Sequence, residues 1–267
     1  MKTYLLPRRT LIAAAVGLPL LGAHAQISDL SDAINKAGRQ RMLSQRMGKA
    51  WLALVHGIDK TSAQQVLDKS LALFDRQLVE LRAFAAVADI KETYTKLEAA
   101  WSDYKTALVG AAPARDGAAR MLQLNASVLA LANQGTLQYE TAMGKPAGKL
   151  VNTAGRQRML SQRMAMYYLA AKLPVDAATA SAEIDKARAE FVTGMTTLHK
   201  APENTARIKD ELMLADGQWV FFEAALKKVG SGDVAAAKPM TEVFTASENL
   251  LTVMDRVTGL YAGLKTG

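Results

Sequence analysis

From Ser28 to about His56 apolar residues recur with the 3.6-residue period of a helix, and no proline interrupts them. Leu43, Met47, Ala50 and Leu54 fall on one side, a core stripe. The opposite arc carries Ile34, Ala37, Gly38, Arg41, Ser44, Gln45 and Gly48, a small polar face with one arginine at its centre. Ser62 and Gln65 fit a capping box, which predicts a second helix running to about Val87. Asp89 with Glu92 opens a third, ending near Gly110. Ala111-Ala112-Pro113 breaks the chain, and a fourth helix is predicted from about Ala114 to Met143. The plan then repeats. A first helix runs from about Ala147 to Lys172, Pro174 and Asp176 introduce the next, and Pro202 introduces the third. Gly230-Ser231-Gly232 precedes the last, with Pro239 near its start.

The connections are short, so neighbouring helices are predicted to be antiparallel. The expected fold class is all-α: two tandem antiparallel four-helix bundle modules related by pseudo-two-fold symmetry. Four alternating helices return the chain to the end where it began. The first helix of each module then runs parallel to the other, and their polar faces can meet at one height.

A repeat gives this plan its firmest support. Residues 34–47 read INKAGRQRMLSQRM and residues 151–164 read VNTAGRQRMLSQRM. Only Ile34/Val151 and Lys36/Thr153 differ. Beyond the string the match fades, although Phe74 and Phe191, Leu81 and Leu198, and Trp101 and Trp219 keep nearly the same spacing. Packing alone tolerates apolar exchange. An identical string with three arginines implies that chemistry or a specific interface held it. Copy two places Val151, Ala154, Gly155, Arg158, Ser161, Gln162 and Ala165 on the same arc.

The N-terminus is read as an address. Lys2, Arg8 and Arg9 precede an apolar run from Leu11 to about Gly22, followed by Ala23-His24-Ala25. Cleavage is expected after Ala25, with a periplasmic or secreted mature chain. Arg8-Arg9 resembles a twin-arginine signal, but Pro7 precedes the pair, so twin-arginine and general export both stay open. The expected division is 1–25 leader, 26–144 first repeat and 145–267 second repeat.

Composition then removes whole classes of chemistry. There is no cysteine, which excludes disulfides, thiolate metal sites and a cysteine nucleophile. The formal charge of +8 is spread along the chain, three of it in the first ten residues, so nucleic acid is not an expected partner. No spacing suggests a metal site, a P-loop, a dinucleotide fold or a hydrolase elbow. No catalytic residues, metal ligands or cofactors are assigned, and an enzyme is not expected.

What remains is the repeated face. If the two faces meet, Arg41 and Arg158 point at each other. Two such charges about 4 Å apart repel by roughly 4 kcal/mol at a near-surface dielectric. An anion between them reverses that sign, and guanidinium matches planar oxyanions such as nitrate, nitrite or carboxylate. The candidate ligand residues are Gly38, Arg41, Gln45, Gly155, Arg158 and Gln162. The competing reading makes Arg41 and Arg158 structural, holding a helix interface. Arg39, Arg46, Arg156 and Arg163 lie off the small face and are expected in salt bridges or solvent. Asn35 and Asn152 are read as helix-surface hydrogen-bonders, Met42, Met47, Met159 and Met164 as core filling, and Trp101 and Trp219 as packing residues. His56 and His199 suit helix C-termini, and Asp29 and Asp32 suit a helix start.

The string resembles the first-helix motif of the type IV pilus methyl-accepting chemotaxis transducer N-terminal (PilJ-type) domain. It is also similar to the P-box of nitrate/nitrite sensor histidine kinases, approximately I-N-x-A-G-x-x-R-M-x-S-x-R. The kinase resemblance implies a periplasmic four-helix bundle with nitrate held between first helices. Its contacts would be Arg41 with the Gly38 backbone, and Arg158 with the Gly155 backbone. The kinases continue through a membrane helix into a signalling domain, which this sequence lacks. The expectation is therefore a stand-alone module that binds a small oxyanion and passes any signal through a membrane receptor or sensor partner. The alternative is an adaptor that binds no ligand and pairs with a chemoreceptor, sensor kinase or pilus component.

Overall fold

The computed structural model describes residues 27–85, 87–173, 177–227 and 237–264. The leader and the breaks at Pro174, Asp176 and Gly230-Ser231-Gly232 lie outside them. Eight α-helices occur among the described residues: α1 (Leu30–His56), α2 (Lys60–Phe84), α3 (Ala88–Val109), α4 (Ala118–Met143), α5 (Pro146–Ala170), α6 (Ala177–His199), α7 (Ala206–Lys227) and α8 (Ala237–Ala262). A 3-10 turn, Arg115–Gly117, precedes α4, so the predicted start at Ala114 is four residues early. No strand occurs among the described residues.

Local chemistry explains where the helices begin and end. Asp29 caps α1 by accepting from the Asp32 amide at 2.8 Å. The capping box predicted at Ser62 gives way to Asp59, whose carboxylate accepts from the Ser62 amide. Asp59 takes a left-handed backbone, φ 34°, which Asp tolerates because its short side chain bonds locally. Likewise α7 starts after Thr205, whose hydroxyl accepts from the Ile208 amide, and not at Pro202. Gly57 and Gly144 close α1 and α4 with φ of 71° and 62°, a conformation suited to glycine. Pro146 sits in the first turn of α5, where a missing N–H costs nothing.

Within each half the helices close a ring. α1 packs on α2 and α4, and α3 on α4; α5 packs on α6 and α8, and α7 on α8. The α2–α3 and α6–α7 contacts are lighter. The most extensive helix pairing joins the halves, α1 against α5. These two run parallel, as expected. Arg158 reaches Asn35 and Arg41 reaches Asn152 near one end, and His56 reaches Leu169 at the other. Both helices are therefore surrounded, and nearly every residue of α1 from Ser31 to Ala53 is buried. The polar face predicted opposite the core stripe is interior as well.

The halves share internal landmarks. Trp101 stacks on Phe74 with ring centres 4.0 Å apart, and Trp219 on Phe191 at 4.4 Å. Both phenylalanines are fully buried, so truncating either to alanine costs about 3–5 kcal/mol. Tyr139 on α4 donates to the Leu81 carbonyl at 3.0 Å, and Tyr261 on α8 to the Leu198 carbonyl at 3.3 Å. These pairs fix which residues of the two halves correspond.

Candidate functional site

The repeated strings meet at the centre of the molecule. Arg41 and Arg158 are 1 % and 0 % exposed, the two largest fully buried side chains. Arg41 donates from Nη1 to Asn133 Oδ1 at 2.9 Å. Its Nη2 donates to Asn152 Oδ1 at 2.6 Å and to the Asn152 carbonyl at 3.4 Å. Arg158 donates from Nη1 to Asp255 and from Nη2 to the Asn35 carbonyl at 3.1 Å. Each arginine thus crosses to the other first helix.

The two glycines make this crossing sterically open. A Cβ on Gly38 would lie 3.2 Å from Arg41 Nη2 and 3.7 Å from Arg158 Nη2. On Gly155 it would lie 3.2 Å from Arg158 Nη2 and 3.8 Å from Arg41 Nη2. Both guanidinium ends therefore share one small space beside both glycines. Gln45 and Gln162 sit one turn further along and are engaged elsewhere. Gln45 donates to Asn125 on α4 at 2.7 Å and accepts from Arg163. Gln162 donates to the Ser247 carbonyl on α8 at 2.9 Å, and its Oε1 is buried with no partner among the described residues.

Charge is unevenly shared. Asp255 accepts from Arg158 and, at 3.1 Å, from Arg39. Burial would raise its carboxyl, but Arg158 and Arg39 outweigh that and hold it low. Arg41 meets neutral amides only, and Asn152 in turn donates to Glu140. Burial, then the charges of Arg156 and Arg158, bring Arg41 down to about 9. Arg158 falls to about 10, through burial opposed by Asp255. Both stay cationic at neutral pH. The Nε groups of both are buried with no hydrogen-bond partner among the described residues, which normally costs about 1–3 kcal/mol.

The other string arginines form ion pairs. Arg46 grips Glu248 of α8 through Nε and Nη2, Arg156 pairs with Glu190, and Arg163 with Glu183. Beside Arg46, the fully buried Lys49 donates to Ser247 at 2.8 Å and to Glu248 at 2.7 Å. Sequence reasoning missed Asn133, Asp255, Glu140 and the Lys49–Glu248 pair. Most of these lie on α4 and α8, where the repeats have diverged. Asn152 was inside the repeated string, but its contact runs across the halves.

A groove of about 490 Å³ opens beside Arg41, lined by Asn133, Asn152, Arg156, Glu190 and Thr193 among others. No group of three His, Asp or Glu side chains disposed to hold a metal occurs among the described residues. None of the described helices is long and apolar enough to cross a membrane.

The duplicated helical bundle agrees with the class that a family match gives, a sensory module related to chemotaxis and pili. The chain belongs to the type IV pili methyl-accepting chemotaxis transducer N-terminal family, whose model matches it twice, over residues 23–129 and 139–245. No curated protein and no solved structure matches the chain.

Proposed function

We propose that this sensory module is exported to the periplasm and recognises a small oxyanion, nitrate, nitrite or a carboxylate, at the seam between its first helices. The observation that carries the reading is the placement of Arg41 and Arg158. Two buried cations face one space, with one carboxylate at their Nη atoms and two unpartnered Nε donors. A bound anion would offset like-charge repulsion in a region of low dielectric. The binding is without catalysis, and the signal passes through a membrane receptor or sensor partner. The likeness of the string to the nitrate-sensor P-box supports the choice of planar anions.

Calorimetry at low ionic strength with nitrate, nitrite and acetate tests this. The expected result is heat for at least one anion in the wild type and none in Arg41→Ala. Absence of heat for every anion, in a folded wild type, overturns it.

A second reading is favoured by α7. Met213 and Val220, and Leu214 and Phe221, stand one heptad apart and are all exposed, Phe221 at 69 %. Under this adaptor reading the arginines hold the halves together, and α7 meets a helix of a chemoreceptor, sensor kinase or pilus component. A Phe221→Ser variant would then lose a co-purifying partner, with the thermal midpoint unchanged.

A further inference from the structure

One break in the pseudo-symmetry of the seam lies directly at the paired arginines. Thr136 and Thr258 are both buried, and each bonds the carbonyl four residues back. Each lies three residues before its landmark tyrosine, Tyr139 or Tyr261. Three residues earlier stand Asn133 on α4 and Asp255 on α8. The correspondence extends to atoms: Arg41 Nη1 donates to Asn133 Oδ1, and Arg158 Nη1 to Asp255 Oδ1.

Around Asp255 two arginines share one carboxylate: Arg158 from α5 and Arg39 from α1. Their counterparts around Asn133 are Arg41 from α1 and Arg156 from α5. Arg156 lines the same groove as Arg41 and Asn133. So one side has two guanidiniums on a carboxylate, and the other has two guanidiniums beside a neutral amide. Arg156 turns toward α6, giving Nε and Nη2 to Glu190. That leaves the groove lined by Arg41, Asn133, Asn152, Arg156 and Thr193. The acids facing it are Glu190 and, through Asn152, Glu140.

We propose that this groove is a carboxylate site, in which a small monocarboxylate takes the role that Asp255 plays in the other half. The inference rests on the reading that the first-helix arginines bind an oxyanion, and it specifies which half binds and what kind of anion. The chemistry is that of the occupied counterpart. A carboxylate is planar and accepts from two guanidinium groups at once. Asn133 adds a feature that Asp255 lacks: with its oxygen committed to Arg41, its amide nitrogen offers two donors. Arg41 Nε is a further buried donor with no partner among the described residues. One chain therefore binds one carboxylate, on the Arg41 side. On the Arg158 side the chain's own Asp255 occupies the equivalent place.

The test is Asn133→Asp, which installs the missing carboxylate. Acetate titrations and thermal unfolding are run on wild type and variant in the same anion-poor buffer. Wild type should bind one acetate per chain and melt higher in its presence. The variant should already melt higher without acetate, by roughly 2–4 °C for each 1 kcal/mol gained. Its acetate affinity should fall at least about tenfold. Arg156→Gln, a change at a partly exposed side chain, should weaken acetate about tenfold while leaving helicity intact. If N133D binds anions as tightly as wild type, the groove is not the site, although the seam still binds oxyanions. If wild type responds to nitrate and not to acetate, the ligand class is wrong. If wild type binds no anion, the paired-arginine reading itself fails and this inference falls with it.

Discussion

Arg41 on α1 holds the Asn152 side chain on α5 at 2.6 Å, while its counterpart Arg158 reaches only the backbone carbonyl of Asn35. The Asn35 Oδ1 atom is buried with no partner among the described residues. Identical residues in the two strings therefore carry different loads. Asn152→Ala removes an acceptor from a buried guanidinium and should cost about 1–3 kcal/mol in urea unfolding. Asn35→Ala leaves its carbonyl in place and should stay within about 0.5 kcal/mol of wild type. Equal losses in the two variants would mean that the seam is symmetric in energy.

The arginines should also differ when replaced by methionine. Arg41 is paired with neutral amides, so its burial is the less compensated of the two, and its depression to about 9 reflects that. An apolar replacement then removes a desolvation cost and should change stability by less than about 1 kcal/mol. Arg158→Met takes away the fully buried partner of Asp255, leaving the carboxylate to Arg39. Because Asp255 is partly solvated, the loss should be nearer 2 kcal/mol than the 3–5 kcal/mol typical of a broken buried pair. Chemical denaturation of the two variants orders them, and the reverse order would contradict this account.

At Gly48 the side chain of Met166 on α5 packs directly against the α1 backbone. A Cβ there would sit 2.6 Å from Met166 Sδ and 3.2 Å from Tyr104 Oη. Copy two has Ala165 at the matching position, so the crowding belongs to one half only. Gly48→Ala gains about 1 kcal/mol of helix propensity yet should lose about 1–3 kcal/mol net by overpacking. Met166→Ala opens a cavity of its own, but the double variant should lose less than the two single losses together, and a double-mutant cycle with no coupling would refute the contact.

The helices, the parallel first pair and the meeting of Arg41 with Arg158 were legible in the sequence. Each follows from period, short connections and an internal repeat. Helix starts were less so, because Asp59 and Thr205 cap by local bonds that several nearby polar residues could equally have made. The burial of nearly all of α1 was invisible, since polar residues such as Arg41 and Lys49 bond across to the other half. Asp255 and Asn133 were missed for a related reason. They complete the seam from helices whose sequences have drifted apart, so no repeat draws attention to them.

Glu248 and Lys49 both make the α1–α8 contact more stable as pH rises, one in an acid window and one in an alkaline window. Burial alone would raise the Glu248 carboxyl, but Lys49 and Arg46 hold it at about 2. A depressed carboxylate contributes stability above its unfolded pKa, near 4.5, and loses it as pH falls toward 2. The side chain is 21 % exposed, and the full contribution is on the order of 3 kcal/mol. Glu248→Gln should flatten that acid limb. Lys49 instead costs stability at neutral pH, and its slope has the same sign in a separate, alkaline window. Burial lowers it to about 8, so between there and 10.5 the unfolded chain holds a proton that the folded chain has released. Stability should rise with pH across that window. The matching residue in copy two is Met166, also buried, so the same packing position accepts methionine. Lys49→Met should therefore remove the alkaline rise and alter stability at pH 7 by less than about 1 kcal/mol, with Arg46 still holding Glu248. Unfolding free energies measured from pH 2 to 10 in wild type and variant decide this. An alkaline rise that persists in Lys49→Met would assign it to other groups, Arg41 first among them.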